Sequence, residues 1–251
     1  MFRIDAYGDM GLRIQLGATI SKETNEKIRS LALCLEKEKI PGVIEWIPTY
    51  TAISISYDPY IITYDKLKNR IMKLQATMVS VKPPPAMVVH LPVCYGGEYG
   101  PDLETVANHN GISIEDVINL HADVDYLIYM MGFTPGFPYL GGMSEKIATP
   151  RLRSPRQKIP VGSVGIAGAQ TGVYSMETPG GWQLIGRTPV RLFDSSKQEP
   201  ILLQAGNYVR FVRITESEYK KIEAEVKQGI YQPIHEDFGG KAGNDRRIHN
   251  G

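Results

Sequence analysis

The chain has 251 residues, 42% of them hydrophobic, with 28 basic and 27 acidic side chains and a formal net charge of +1. That balance argues against a nucleic-acid binder, which needs a basic surplus on one face, and no run approaches the roughly 20 apolar residues of a membrane helix. Two distant cysteines, Cys34 and Cys94, make no disulfide scaffold. The N-terminus lacks a basic region followed by a long apolar run, so the expectation is a cytoplasmic protein with reduced thiols.

In chain order, FRIDAY and LRIQL alternate apolar and polar residues around a Gly8-Asp9 turn, which predicts two strands. Ser21 is placed to cap a helix running to about Lys39, with Ile28, Leu31, Ala32 and Leu35 on one face and Pro41-Gly42 as its stop. VIEWI and AISISY read as two further strands. Thr63 is placed to cap a second helix whose Leu67, Ile71, Leu74 and Met78 share a face. Two helices on one face of a small antiparallel sheet is the economical packing. The stretch KPPPA, residues 82–86, is a stiff spacer without ladder hydrogen bonds and is taken as a linker. It separates an N-terminal α/β domain, 1–81, from a second domain, 87–234.

The second domain opens with the strand VVHLPV, followed by two short helices; Ser113 and Asp116 match a capping box for the second of them. YLIYMMGF is a strand leading into GFTPGFPYLGGM, residues 132–143. Four glycines, two prolines, three aromatics and no charge make this run neither a helix nor a central strand. It reads as a shaped loop, of the kind that lines something. SVGIAG, QLIG, VRLF, ILL and YVRFVRI are short strand-like runs separated by turn signals, a pattern of β-barrels and sandwiches. Thr215 and Glu218 form another capping box for a last helix ending near Gln228 at Gly229. The tail 235–251 is poor in apolar residues and is expected to be disordered.

Phosphate-loop, dinucleotide, zinc and nucleophile-elbow motifs are missing, and the five histidines are scattered, so no metal is expected. The chemistry that remains lies in the second domain. Phe133, Phe137 and Tyr139 stand on a glycine-rich backbone, and Arg151, Arg153, Arg156 and Lys158 follow among prolines. The arginine fork suits a carboxylate or phosphate, although a solvated basic turn would look the same. In GIAGAQTGVY, small residues precede Gln170, Thr171 and Tyr174, as either a ligand-binding backbone or a tight barrel strand. Trp182 follows a Gly-Gly pair and can wall a pocket or sit in the core, and Arg187 lies in a G-R-T-P turn. The segment TPGGW echoes TPGF at Thr134. His121 ends a short helix just before the strand that enters the loop; it is a general-base candidate or a structural histidine. Together these residues fit an apolar, arginine-flanked pocket for a small anionic or amide-containing ligand.

GFTPGFPYLGG, PRLRSPRQKIPVGSVGIAGAQTGVY, TPGGWQLIGRTP and LFD closely resemble the allophanate hydrolase subunit 1, or KipI-like, family. The runs beginning at Tyr7, Pro41 and Tyr57 match its N-terminal domain. The resemblance covers nearly the whole chain and is more specific to the family than to one activity within it. It implies an α+β fold, with a roughly ferredoxin-like N-terminal α/β domain and a C-terminal cyclophilin-like β-barrel, without implying prolyl isomerase activity. It implies the role of the B subunit in an ATP-dependent 5-oxoprolinase, acting with the companion C and A subunits to open 5-oxo-L-proline to glutamate. ATP, with magnesium, would bind unconventionally or only in the complex, since no phosphate loop is present. The residues carried over are His121, Arg156, Gln170 and Arg187 as catalytic, and Pro135, Gly136, Phe137, Thr171, Tyr174 and Trp182 as substrate-binding. The family also implies two other readings: an inhibitor that binds a sporulation histidine kinase, and one part of an allophanate hydrolase.

Overall fold

The structure, a computed structural model, describes residues 3–78, 80–81 and 83–239. The first four strands are β1 (Arg3–Ala6), β2 (Gly11–Gln15), β3 (Val43–Pro48) and β4 (Ala52–Tyr57), and they form one antiparallel sheet in the order β1-β2-β4-β3. Helix α1 (Lys22–Glu38) joins the two hairpins and α2 (Tyr64–Met78) follows them. Ser21 caps α1 by accepting from the Thr24 N–H at 3.1 Å, and Lys39 closes it in the left-handed region. The predicted apolar faces are the ones buried: Ile28, Leu31 and Leu35 from α1 and Leu67, Ile71 and Leu74 from α2 pack with Leu12, Ile14, Ile53 and Ile55. The element order is β-β-α-β-β-α. It differs from the β-α-β-β-α-β of a ferredoxin-like unit: the edge strand beside β2 comes from the front of the segment rather than from its end.

The remaining helices are α3 (Leu103–Asn110), α4 (Ile114–His121) and α5 (Glu216–Gln228). The remaining strands are β5 (Met87–Tyr95), β6 (Asp125–Met131), β7 (Pro138–Gly141), β8 (Arg156–Ile159), β9 (Ser163–Ala167), β10 (Gln170–Val173), β11 (Thr178–Gly180), β12 (Gln183–Arg187), β13 (Tyr208–Ile214) and β14 (His235–Asp237). Seven strands run β10-β9-β12-β5-β13-β6-β7, and β14 pairs with β5. The two ends of this path, β7 and β10, lie against each other, so the sheet curls into a nearly closed barrel. Its core gathers Val89, Leu91, Tyr126, Ile166, Val209 and Phe211 with Val106 and Val117 from α3 and α4. β8 and β11 form a separate two-stranded ribbon. Both predicted capping boxes are present, on Ser113–Asp116 and Thr215–Glu218.

Several expectations differ from what folds. Part of the shaped loop is a strand: Pro138 starts β7, a position where a missing N–H costs no ladder bond. VRLF and ILL form no strands, only one bridge between Phe193 and Ile201, because Asp194 turns the chain by accepting from the Ser196 N–H. The tail begins in order: His235–Asp237 pairs antiparallel with β5, and Phe238 stacks on Tyr208 at 3.7 Å. Arg210, held by Asp125, also reaches Glu236 at 2.6 Å, so a charged strand finds its partners on the barrel. Lys82 and residues 240–251 lie outside the described residues. Among the described residues, no helix is long and apolar enough to cross a membrane.

The two sheets touch through named contacts. Buried Asn25 on α1 donates to the Tyr129 carbonyl at 3.1 Å. Tyr50, in the β3–β4 turn, packs its ring against Tyr129 and Tyr139.

Candidate active site

The loop before β7 is built by a tight turn. The Phe137 N–H donates to the Thr134 carbonyl at 3.0 Å, Pro135 takes the second position and Gly136 the third, at φ 78°. This is the type II pattern, in which the third residue needs positive φ. A side chain at Gly136 would also come within 2.9 Å of the Leu192 carbonyl. Pro135 and Gly136 therefore shape the loop, and Phe137 is the residue it delivers. Phe137 is 3% exposed and meets Phe133, Tyr139, Tyr174 and Trp182 edge-on, with ring centroids 5.4–6.0 Å apart. The two echoing segments thus bring their aromatics, Phe137 and Trp182, together.

These rings wall a slot of about 270 Å³. Phe133, Phe137, Tyr139, Tyr174 and Trp182 line it, Pro179, Gly180 and Gly181 form an edge, and Arg151 and Gln170 supply the polar groups. Gly172 lies under the rings, where a Cβ would sit 3.1 Å from Trp182 and 3.3 Å from Phe137. Burial raises the Tyr174 pKa, so its hydroxyl stays neutral. Larger hollows exist elsewhere, for example about 460 Å³ beside Cys94 and Thr215, but they gather none of this aromatic set. A small planar ring with one anionic group suits the slot: aromatic faces for the ring, one guanidinium for the charge and one carboxamide for a donor and an acceptor.

Of the ten expected site residues, Phe137, Gln170, Tyr174 and Trp182 line the slot. The others stand behind it or elsewhere. Arg156 donates to Asp102 Oδ1 at 2.7 Å and reaches the Trp182 carbonyl at 3.5 Å, while Asp102 Oδ2 accepts from the Leu184 N–H at 2.6 Å. That clamp holds the wall carrying Trp182. Arg187 lies over the Tyr99 ring at 5.7 Å, reaches the Glu98 carbonyl, and has a buried Nε without a partner among the described residues.

His121 is in the barrel core, 0% exposed and stacked on Phe211. Its Nδ1 lies 2.8 Å from Tyr95 Oη and its Nε2 2.7 Å from Thr171 Oγ1. Thr171 Oγ1 donates to the Gly165 carbonyl at 3.1 Å, so it accepts from Nε2–H, and Nδ1 accepts from the Tyr95 hydroxyl. The chain of bonds thus assigns a neutral tautomer, and burial lowers the His121 pKa to about 3. His121 and Thr171 are linked to the slot through β10, whose first residue is Gln170.

Sequence reasoning did not single out Tyr50 or Asp102. Tyr50 Oη accepts from Gln170 Nε2 at 3.3 Å across 120 residues, and no local pattern signals such a contact. Arg151 was visible only as one cation among four.

The family described as carboxyltransferase domain, subdomain C and D, matches residues 2–203. The chain belongs to this family. Within it, a protein of Bacillus subtilis strain 168, named as the B subunit of 5-oxoprolinase, is 44% identical over 234 residues, which are 89% of this chain and 98% of that one. A protein of the same name from Escherichia coli O157:H7 is 41% identical over 206 residues, covering 82% of this chain and 93% of its own. Among solved structures, the protein TTHA0988 shares 34% identity at a TM-score of 0.73. That match takes in 85% of this chain, which spans only 40% of the longer protein.

Proposed function

We infer that the chain is the B subunit of an ATP-dependent 5-oxoprolinase, which opens 5-oxo-L-proline to L-glutamate. The observation that carries this reading is 44% identity across 98% of the Bacillus subtilis B subunit of that enzyme. The slot's chemistry supports it, because 5-oxoproline is a planar lactam ring bearing one carboxylate. Arg151 binds the carboxylate, the Phe137, Tyr174 and Trp182 rings flank the lactam, and Gln170 meets its amide. Arg156 and His121 act at one remove, through the Trp182 wall and through Thr171 on β10.

An amide carbonyl is a poor electrophile, and ATP supplies the activation. With ATP bound in the complex, transfer of its γ-phosphoryl group to the amide oxygen, with loss of ADP, would activate the carbon. One water would add and the C–N bond would break with a proton passing to nitrogen, leaving an acyl phosphate, and a second water would release glutamate and inorganic phosphate. The slot offers one guanidinium and no carboxylate, a donor set suited to the substrate rather than to a magnesium–nucleotide complex. ATP therefore binds where the companion A and C subunits complete the site, and this chain alone carries no turnover. The finer fold assignment goes with this reading: an N-terminal unit over 1–81, a linker over 82–86 and a cyclophilin-like barrel over 87–234.

The test is to co-express the chain with its companion C subunit, add the A subunit, and follow glutamate release from 5-oxo-L-proline with and without ATP. ATP-dependent glutamate is expected from the three-part mixture and not from this chain alone. An assembled complex that releases none overturns the assignment.

A further inference from the structure

Gln170 is the carboxamide on the slot's rim, and its side chain is held from outside the barrel. Its Nε2 donates to Tyr50 Oη at 3.3 Å. Tyr50 is itself fixed, with its ring 5.6 Å from Tyr129 and tilted, and 5.9 Å from Tyr139 edge-on. Burial raises the Tyr50 pKa, so it meets Gln170 as a neutral phenol. One N–H of the carboxamide is thus committed to the N-terminal sheet. The other N–H and Oε1 remain, and in a primary amide these two can stand side by side on one edge.

We propose that Gln170, oriented by Tyr50, selects cyclic cis-amides by pairing with both the N–H and the C=O of the ligand at once. The proposal takes the ligand's identity from the 5-oxoprolinase reading. In a five-membered lactam the ring forces the amide to be cis, so its N–H donor and its carbonyl acceptor share one edge. That edge complements the free edge of Gln170: lactam N–H to Oε1, and Nε2–H to the lactam oxygen. A linear secondary amide is trans and puts the two groups on opposite edges, so it makes one bond and leaves the other group of Gln170 unpaired. Arg151 and the aromatic walls do not distinguish the two amides, since both ligands carry an apolar body and a carboxylate. Selectivity therefore rests on Gln170, a specificity-determining residue, and on Tyr50, a positioning residue contributed by the other sheet. Both are open to substitution: Gln170 is exposed, and Tyr50 is half-buried in a turn.

The experiment is calorimetric titration of the assembled three-part complex with three ligands, alongside the glutamate assay. The ligands are 5-oxo-L-proline, its N-methyl derivative, which lacks the lactam donor, and N-acetyl-L-alanine, a linear trans amide with a carboxylate. The wild-type complex is expected to bind the lactam about five- to tenfold more tightly than either analogue. Gln170→Met is expected to bring all three affinities within about twofold of one another, chiefly by weakening the lactam, and Tyr50→Phe to fall between. A Gln170→Met complex that keeps wild-type selectivity, or weakens all three ligands equally, overturns the proposal. Turnover without selectivity leaves the 5-oxoprolinase reading standing and removes this inference. Selectivity without turnover does the reverse, and a complex that neither binds nor turns over the lactam removes both.

Discussion

Phe133 sits at a backbone φ of 64° with 66% of its surface exposed. A left-handed backbone costs a non-glycine residue about 1–2 kcal/mol, and an exposed ring contributes little burial in return. Strain of this kind collects at functional positions, and this ring stands at the slot's mouth, edge-on to Phe137. Phe133→Gly should therefore leave the fold intact or stabilise it by up to about 1 kcal/mol, while lowering kcat/KM of the assembled enzyme. A variant that gains stability and keeps full activity would remove Phe133 from the site. Phe137 differs, because the loop buries it: Phe137→Ala should cost about 3–5 kcal/mol of stability as well as activity, so it tests the core and the slot together. His121 gives a pH signature. Its folded pKa of about 3 lies below the ordinary value of 6.5, so between those values the unfolded chain binds more protons. Its contribution is complete above pH 6.5 and is lost as pH falls, by up to about 1.4 kcal/mol per pH unit for one proton. In urea unfolding, the stability gap between wild type and His121→Gln should be widest at neutral pH and shrink by pH 4.5. A gap that is constant with pH would mean that His121 titrates in the folded protein as it does in the unfolded chain.

At the scale of elements, Asp102 ties three of them together. It stands at the start of α3, pairs with Arg156 at the start of β8 and accepts from the Leu184 N–H in β12. Arg156 was expected to be catalytic; the clamp instead gives it the task of holding the strand next to Trp182. Asp102→Ala and Arg156→Ala should consequently be non-additive, with a coupling of about 1.5–3 kcal/mol in thermal unfolding of the double-mutant cycle. Simple additivity would free Arg156 for a direct role. Strand β14 continues the row on β5 that β12 leaves open, since β12 pairs at Cys94–Tyr95 and β14 at Met87–Val89. Comparing chains that end at 239 and at 234 isolates this strand, the Arg210–Glu236 pair and the Tyr208–Phe238 stack. The shorter chain should lose about 2–3 kcal/mol, seen as a Tm several degrees lower; equal Tm values would make β14 a passive edge.

At the scale of the molecule, the slot depends on more than the barrel. Its Gln170 answers to Tyr50 in the four-stranded sheet, and the same tyrosine supports Tyr139 in the slot's wall. Asn25 ties α1 to Tyr129 nearby, so the position of the N-terminal sheet and the geometry of the rim are linked. Asn25→Ala leaves the Tyr129 carbonyl unpaired and should cost about 1–3 kcal/mol. It should also raise KM in the assembled enzyme with little change in kcat; unchanged KM would show that the rim holds itself.

What the sequence by itself determined is local in origin. The faces of α1 and α2 and the capping boxes at Ser113 and Thr215 appear where periodicity and capping chemistry place them, and the loop predicted over 132–143 holds the Thr134-Pro135-Gly136-Phe137 turn. The aromatic character of the site was legible for the same reason, because proline fixes the backbone beside Phe137 and Trp182 and glycine admits the tight turns that other residues resist. Only the tertiary structure decided which polar residues reach the slot. His121, Arg156, Thr171 and Arg187 look alike in one dimension as groups with protons or charge to offer. Burial and long-range hydrogen bonds commit the first three to the core and to a clamp, and Arg187 to the Tyr99 ring, while Arg151 and Gln170 remain at the rim. The Tyr50–Gln170 contact was beyond the sequence altogether, since a hydrogen bond across 120 residues depends on how two sheets pack and leaves no trace in either segment alone.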